Sequence, residues 1–474
     1  MQLFAKETLY KDRILAADDH GMAVTYQELD YFSDNMYHYI KRKSLIFLLC
    51  ENTIGCLLGY LSCLKTGGVP LMLNAHINQM LLNTLIKEYH PEFLYLPESC
   101  LNLAEESEIV WRTHGYCLCR RKELLPTSLY EELALLMTTS GSTGSPKLVR
   151  QSGRNILANA EAICKYLEIN GDERPVTTLP MNYTYGLSII NTHVLKGATL
   201  LLTTRGIVER PFWDFAVEMK ATSFGGVPNT YQILKRIGFM NMNLPDLKTM
   251  TQAGGKLPLN LHEEFAFYAQ KTEKRFVVMY GQTEATARMG YLPPPDSLKK
   301  CGSMGIAIPG GRFWLEGDTG KKITEPEIQG ELVYEGKNVA LGYACYGGDL
   351  EKQDEWHGVL HTGDIAKQDR EGYFYITGRK KRFIKLSGNR VSLDEVEHLF
   401  KAHFENMDFA CIGIDDQLKI FTDCKDPDAK EFILEYFYQM TGLNTRSIEV
   451  ISLDIIPQNE SGKILYEQLE SVCH

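Results

Sequence analysis

The run Thr138-Thr-Ser-Gly-Ser-Thr-Gly-Ser-Pro-Lys147 follows the apolar stretch Leu133 to Met137, and its reading decides what kind of chain this is. Gly141 and Gly144 let consecutive backbone N–H groups turn into one concavity. The hydroxyls and Lys147 add donors and positive charge, which is what a polyphosphate requires. A Walker A sequence is excluded, because G-x-x-x-x-G-K-[ST] is absent and Pro146 separates the second glycine from the lysine. A flexible Ser/Gly linker needs neither the Pro-Lys pair nor an apolar strand in front of it.

Outward from this loop, short apolar runs (Leu45 to Cys50, Ala198 to Leu202, Phe276 to Met279) alternate with longer amphipathic stretches such as Gln79 to Tyr89 and Asn155 to Leu167. That alternation predicts an α/β fold. Past residue 300, Gly330-Glu-Leu-Val-Tyr-Glu-Gly and Gly372-Tyr-Phe-Tyr-Ile-Thr-Gly378 are short runs bracketed by glycines, the pattern of a small antiparallel β module. Ser392 to Phe400 reads as a helix opened by Ser392 with Glu395 at the capping-box position. The basic run Arg379-Lys-Lys-Arg382 marks the last domain boundary, giving domains 1–378 and 379–474. No internal repeat or heptad array is visible.

The 474 residues carry 44% hydrophobic side chains and a net charge of −10, enough apolar surface for a folded core and no global field to attract nucleic acid. The N-terminal residues lack a basic-then-apolar leader. Thr66 to Ile86 carries no formal charge, but Gly67, Gly68, Pro70, Asn74, His76, Asn78 and Gln79 argue against a membrane span. The expectation is a cytoplasmic protein whose twelve scattered cysteines are buried, reduced thiols.

Three further segments carry candidate chemistry. Val278-Met-Tyr-Gly-Gln-Thr-Glu284 ends an apolar run with an aromatic ring, a hydroxyl and a carboxylate, able to stack a base on Tyr280 and to place Glu284 on a divalent cation. A plain strand ending in a polar turn is the competing reading. His361-Thr-Gly-Asp364 reads as a tight turn offering a carboxylate to ribose hydroxyls, or as an ordinary turn. In Pro457-Gln-Asn-Glu-Ser-Gly-Lys463, Gly462 lets Lys463 project from a loop, although most such lysines are solvated surface charges.

Taken in order, these segments resemble the core motifs of the adenylate-forming superfamily, which includes acyl-CoA synthetases, adenylation domains of nonribosomal peptide synthetases and luciferases. The resemblance runs from Leu64-Lys-Thr-Gly-Gly-Val-Pro70 through the phosphate loop, Gly254-Gly255, Tyr280 to Glu284, Gly330-Glu-Leu with Val339-Ala-Leu-Gly-Tyr343, Thr362-Gly-Asp364 and Gly378-Arg379 to Gly462-Lys463. It implies a large N-terminal domain of α/β subdomains with a small β-barrel, and a mobile α+β C-terminal domain hinged at Lys381.

The same resemblance implies the chemistry. A carboxylate attacks the α-phosphate of ATP to give an acyl-adenylate and pyrophosphate, and a thiol then displaces AMP. Lys463 is assigned to the carboxylate and bridging oxygen, Thr283 to the α-phosphate, and Glu284 to Mg2+. Thr139, Ser140, Gly141, Ser142, Thr143 and Gly144 would hold the β- and γ-phosphates with Lys147 nearby. Tyr280 and Gly255 would sandwich adenine, with Gly254, Gly281 and Gln282 around it, Asp364 on the ribose and Arg379 on ribose or phosphate. Amino-acid activators of the superfamily usually carry an Asp in the segment that here reads Leu179-Pro-Met-Asn-Tyr-Thr-Tyr-Gly-Leu187. None is present; the segment instead resembles the Pro-x-x-His/aromatic-x-x-Gly pattern of acyl and aryl acid activators, with Tyr183 where many have histidine. This implies that Tyr183 and Gly186 line the pocket of a small non-amino acyl or aryl acid, an ordinary core aromatic being the competing reading of Tyr183. The acceptor is CoA or the phosphopantetheine of a separate carrier protein. Alternatives left open are an amino-acid adenylating enzyme serving a free-standing carrier, a noncatalytic nucleotide-binding relative, and a phosphotransferase.

Overall fold

The computed structural model describes residues 9–122, 128–138, 147–317, 319–386, 389–404, 407–414, 416–426, 428–441, 443–459 and 462–471. They form two compact units, one of residues 1–312 with 334–360 and the other of residues 313–333 with 361–474. Strands Val359–Gln368 and Phe374–Arg379 pair antiparallel, with Asp364 opposite Arg379, which ties residues before position 378 to those after it.

The first unit is built on an eight-stranded sheet. Its order is Gly342–Ala344, Leu148–Ser152, Leu133–Thr138, Val69–Asn74, Leu45–Cys50, Phe93–Pro97, Tyr116–Arg121 and Ser107–Thr113. The four central strands run parallel. Leu45–Cys50 is buried at every position, as a strand covered on both faces must be. Its alternate residues feed two cores: Ile46, Leu48 and Cys50 pack with the helix Ile54–Thr66, whereas Leu45, Phe47 and Leu49 pack with Leu82, Leu85 and Tyr89 of the helix Gln79–Tyr89. Thr53 caps the first of these helices and Gly67, at φ 87°, ends it in the left-handed conformation that glycine adopts without strain.

A second sheet of the same unit holds the parallel strands Ser223–Gly226, Thr249–Gln252 and Arg275–Tyr280, extended by the short antiparallel strands Gly290–Tyr291 and Ile306–Ala307. The helix Thr184–Leu195 contributes Tyr185 and Ile189 to the core shared with this sheet. The α/β expectation holds, and the short apolar runs picked out in the sequence are strands.

Most of a five-stranded β module, ordered Lys322–Ile323, Arg312–Glu316, Gly330–Glu335, Val359–Gln368 and Phe374–Arg379, belongs to the second unit. After it come the hairpin Phe383–Leu386 with Asn389–Ser392, the helix Leu393–His403, and a three-stranded sheet of Phe409–Ile414, Gln417–Thr422 and Ile448–Ser452. Arg382, from the basic run, anchors this part. It pairs with Asp394 at 2.5 Å and Glu397 at 2.6 Å and lies 3.7 Å from the centre of the Tyr466 ring. The Tyr466 hydroxyl donates to Glu397 at 3.0 Å, so the helix Tyr466–Ser471 is tied to the start of the segment.

Candidate nucleotide and acid site

Strands Thr249–Gln252 and Arg275–Tyr280 lie in parallel register, Thr251 beside Val277, so the loops that follow them leave the same edge of the sheet. In open parallel sheets that carboxyl edge is where ligands bind. Gly254 has φ +83°, and a Cβ there would stand 2.3 Å from the Tyr183 hydroxyl; one on Gly255 would meet Pro228 at 3.1 Å. A Cβ on Gly281 would collide with the Ala287 carbonyl at 1.6 Å. These glycines leave a flat backbone cradle beside the half-buried Tyr280, whose hydroxyl accepts from Gln282 Nε2 at 3.3 Å. Burial pushes the Tyr183 phenol up to about 12, so it stays a neutral hydroxyl at physiological pH.

Glu284 and Lys147, separated by well over a hundred residues in sequence, meet through a tyrosine that the sequence reading left without a role. The Tyr343 hydroxyl donates to Glu284 Oε1 at 2.8 Å, and Lys147 Nζ lies 5.0 Å from the centre of the Tyr343 ring. Trp356 packs edge-on against that ring at 4.9 Å. Burial, reinforced by the Glu284 charge, raises the Tyr343 pKa, so this hydroxyl also keeps its proton. Its backbone is held by the fully buried Arg150, whose Nε donates to the Tyr343 carbonyl at 3.0 Å while Nη2 pairs with Glu355 at 2.5 Å.

Thr283 is fixed from two sides. Its carbonyl accepts from Gln151 Nε2 at 3.0 Å, and its hydroxyl shares a 3.0 Å hydrogen bond with that of Thr184 at the start of the helix Thr184–Leu195. The structure thus brings together Lys147, Thr283, Glu284 and Tyr343, and separately Tyr183 with Gly254. Gly186 packs closely on the preceding loop: a Cβ on it would meet the Pro180 carbonyl at 2.4 Å. Thr139, Ser140, Gly141, Ser142, Thr143 and Gly144 lie outside the described residues.

In the second unit, His361-Thr-Gly-Asp364 is part of the ten-residue strand Val359–Gln368 and not the tight turn its composition suggests. Pairing of Asp364 to Gln368 with Phe374–Arg379 overrides the local turn signal; the register shifts between Ile365 and Ala366, and Gly363 takes φ +70°. Asp364 is buried, with Oδ1 3.4 Å from Nε of the exposed Arg379, so two residues assigned separately from sequence form one pair. Lys463 sits on a tight hairpin: Asn459 N–H donates to the Lys463 carbonyl at 2.8 Å, the Lys463 N–H to Asn459 Oδ1 at 2.9 Å, and Gly462 takes φ +76°.

These residues fit a magnesium nucleotide. Among the described residues no cation stands within ion-pair distance of the half-buried Glu284, whose one assigned partner is a neutral hydroxyl. A lone carboxylate of this kind suits Mg2+, which binds through one or two carboxylates plus phosphate oxygens and water. Gln252 Oε1 and Asn182 Oδ1 are buried without a hydrogen-bond partner among the described residues, next to the Gly254–Gly255 cradle and Tyr183 in sequence. No helix among the described residues is long and apolar enough to cross a membrane. The described cysteines are all unpaired and most are buried, as expected.

The chain belongs to the family of AMP-binding enzymes, whose model matches residues 4–344. It is 31% identical over 369 residues to the long-chain-fatty-acid–CoA ligase of Escherichia coli O157:H7, a match covering 75% of this chain and 64% of that ligase, less than two thirds of the relative's length. With an L-proline–[L-prolyl-carrier protein] ligase of Pseudomonas fluorescens it shares 27% identity over 348 residues, 70% of this chain and 67% of the relative. Its fold is similar to that of o-succinylbenzoate CoA synthetase from Bacillus subtilis, solved with its acyl-adenylate intermediate. The TM-score is 0.79 at 22% identity, covering 99% of this chain and 97% of that one.

Proposed function

We propose that the chain is an AMP-forming acid–thiol ligase. It activates a small non-amino carboxylic acid with ATP and passes the acyl group to a thiol. What supports this reading is the meeting of Lys147, Thr283, Glu284 and Tyr343, in a chain of the AMP-binding family.

The first step joins two anions, so its barrier is mostly charge repulsion and positioning. Lys147 at the end of the loop offsets phosphate charge, and the Thr283 hydroxyl, oriented by Thr184, donates to the α-phosphate. Glu284, oriented by Tyr343, holds the magnesium ion, which when bound neutralises phosphate charge. Tyr280 and the Gly254–Gly255 backbone flank adenine, and Asp364 with Arg379 receives the ribose. Lys463 neutralises the attacking carboxylate and the bridging oxygen. For thiol transfer the C-terminal segment turns about Lys381 and withdraws it. CoA is the acceptor we favour. The carrier-dependent relative keeps a separate carrier protein as the second reading, and the unpaired cysteines fit a cytosolic setting.

The test is product analysis with ATP, Mg2+ and a panel of short, fatty, aryl and amino acids. AMP with pyrophosphate, and a thioester once CoA is added, are the expected products. ADP, or no acid-dependent turnover, would overturn the proposal.

A further inference from the structure

Arg288 follows Glu284 by four residues and is buried. Its residue is only 2% exposed. Nε donates to Ser188 Oγ at 3.1 Å; Nη1 reaches Tyr166 Oη at 3.5 Å and Met279 Sδ at 3.4 Å, and the guanidinium carbon lies 5.0 Å from the centre of the Tyr185 ring. Every one of these partners is neutral. Among the described residues no carboxylate stands within ion-pair distance of Arg288. Arg150, the other fully buried arginine among the described residues, is by contrast matched by Glu355. A buried charge without a counter-charge is strongly unfavourable.

The backbone is built to send this side chain inward. Thr286 and Ala287 take φ of 58° and 111°, a strained pair for residues with side chains. The Arg288 carbonyl is held by Asn159 Nδ2 at 2.8 Å and Asn338 Nδ2 at 3.2 Å, and Asn338 also donates to the Ala285 carbonyl at 2.8 Å. Arg288 lines a cavity walled mainly by Ile169, Ile189, Phe224 and Thr251, between the helix Thr184–Leu195 and the parallel strands. The other charged groups on that wall are engaged: Arg275 by Glu168 and Thr249, and Glu173 by the Thr222 hydroxyl. Tyr185, against Arg288, lies edge-on at 6.2 Å to Tyr183, the ring assigned to the acid.

We propose that Arg288 is a specificity-determining residue for a second carboxylate on the substrate, which makes the acid a dicarboxylate whose two ends are joined by a short hydrocarbon link. This rests on the ligase reading above. One carboxylate goes to Thr283 and Lys463 and is activated; the other supplies the counter-charge that Arg288 lacks.

The experiment compares matched pairs (butanoate with succinate, hexanoate with adipate, octanoate with suberate) in ATP–pyrophosphate exchange and in thermal melting. Wild type, Arg288→Met and Arg288→Lys are measured alike. In at least one pair wild type should favour the diacid by about tenfold or more in kcat/KM. Arg288→Met should lose that preference through a raised KM for the diacid, with the KM for ATP unchanged, and Arg288→Lys should keep part of it. The diacid should raise the melting temperature of wild type and leave that of Arg288→Met where it was. Equal or better use of the monoacid in every pair, or a preference that survives Arg288→Met, overturns the proposal. Should no acid support exchange, the ligase reading falls, and the melting shift still decides for or against Arg288.

Discussion

Replacing Tyr343 by Phe removes one oxygen from the proposed site and leaves the ring in place. The contacts with Lys147 and Trp356 survive, so the loss is confined to the 2.8 Å hydrogen bond to Glu284. A hydrogen bond to a charged group contributes about 1.5–3 kcal/mol. Glu284 is half-buried and regains some water when its partner goes, which places the loss near the lower end, about 1.5 kcal/mol or roughly tenfold in an equilibrium constant. If Glu284 orients Mg2+, that tenfold appears in metal affinity, the usual scale for losing a group that orients a ligand. The assay is AMP formation at saturating acid and ATP while Mg2+ is titrated. The half-saturating concentration should rise about tenfold, with the maximal rate largely restored at high Mg2+. An unchanged magnesium dependence would refute the reasoning. So would a drop in rate that excess metal does not repair, because Tyr343 would then act on something other than Glu284.

If Asp364 binds the ribose, Asp364→Ala should raise the KM for ATP by about tenfold or more, and the KM for the acid should stay put. Initial rates against ATP check this, and an unchanged ATP dependence returns Asp364 to a structural pairing with Arg379. Acid should destabilise the fold through His193 and His262, whose pKa values burial lowers to about 4. An unfolded histidine titrates near 6.5, so between about pH 6.5 and 4 the unfolded chain binds more protons and stability falls as pH falls, by on the order of 2–3 kcal/mol per histidine. Melting temperatures across that range should drop less steeply for His193→Gln than for wild type, and equal slopes would count against the assignment.

Patterned segments were legible because their signal is local. The amphipathic stretch Gln79 to Tyr89 is a helix with those same ends, since Asn78 caps it and His90 closes it in the left-handed conformation. Leu45 to Cys50 is a strand because six apolar residues in a row have nowhere to go except between two cores. Thr362-Gly-Asp364 misled because its turn chemistry is local, whereas the strand that overrides it depends on pairing with Phe374–Arg379. Tyr343, Arg150, Asn338 and Arg288 went unassigned for a related reason. Each acts on partners far away in the chain, Tyr343 on Glu284 and Arg150 on Glu355, and no periodicity or spacing announces a buried polar residue of that kind. Glu284, Thr283 and Lys147 could be singled out because glycines and hydroxyls cluster around them in sequence.

The central claim is that Lys463 brings a second cation to the joining of two anions and is dispensable once they are joined. Lys463→Ala, assayed separately for acyl-adenylate formation from acid and ATP and for thioester formation from supplied acyl-adenylate and CoA, tests it most directly. The account predicts that the first half-reaction falls by several orders of magnitude while the second stays near wild type. Pyrophosphate exchange that persists in Lys463→Ala, or an equal loss of both half-reactions, would contradict it.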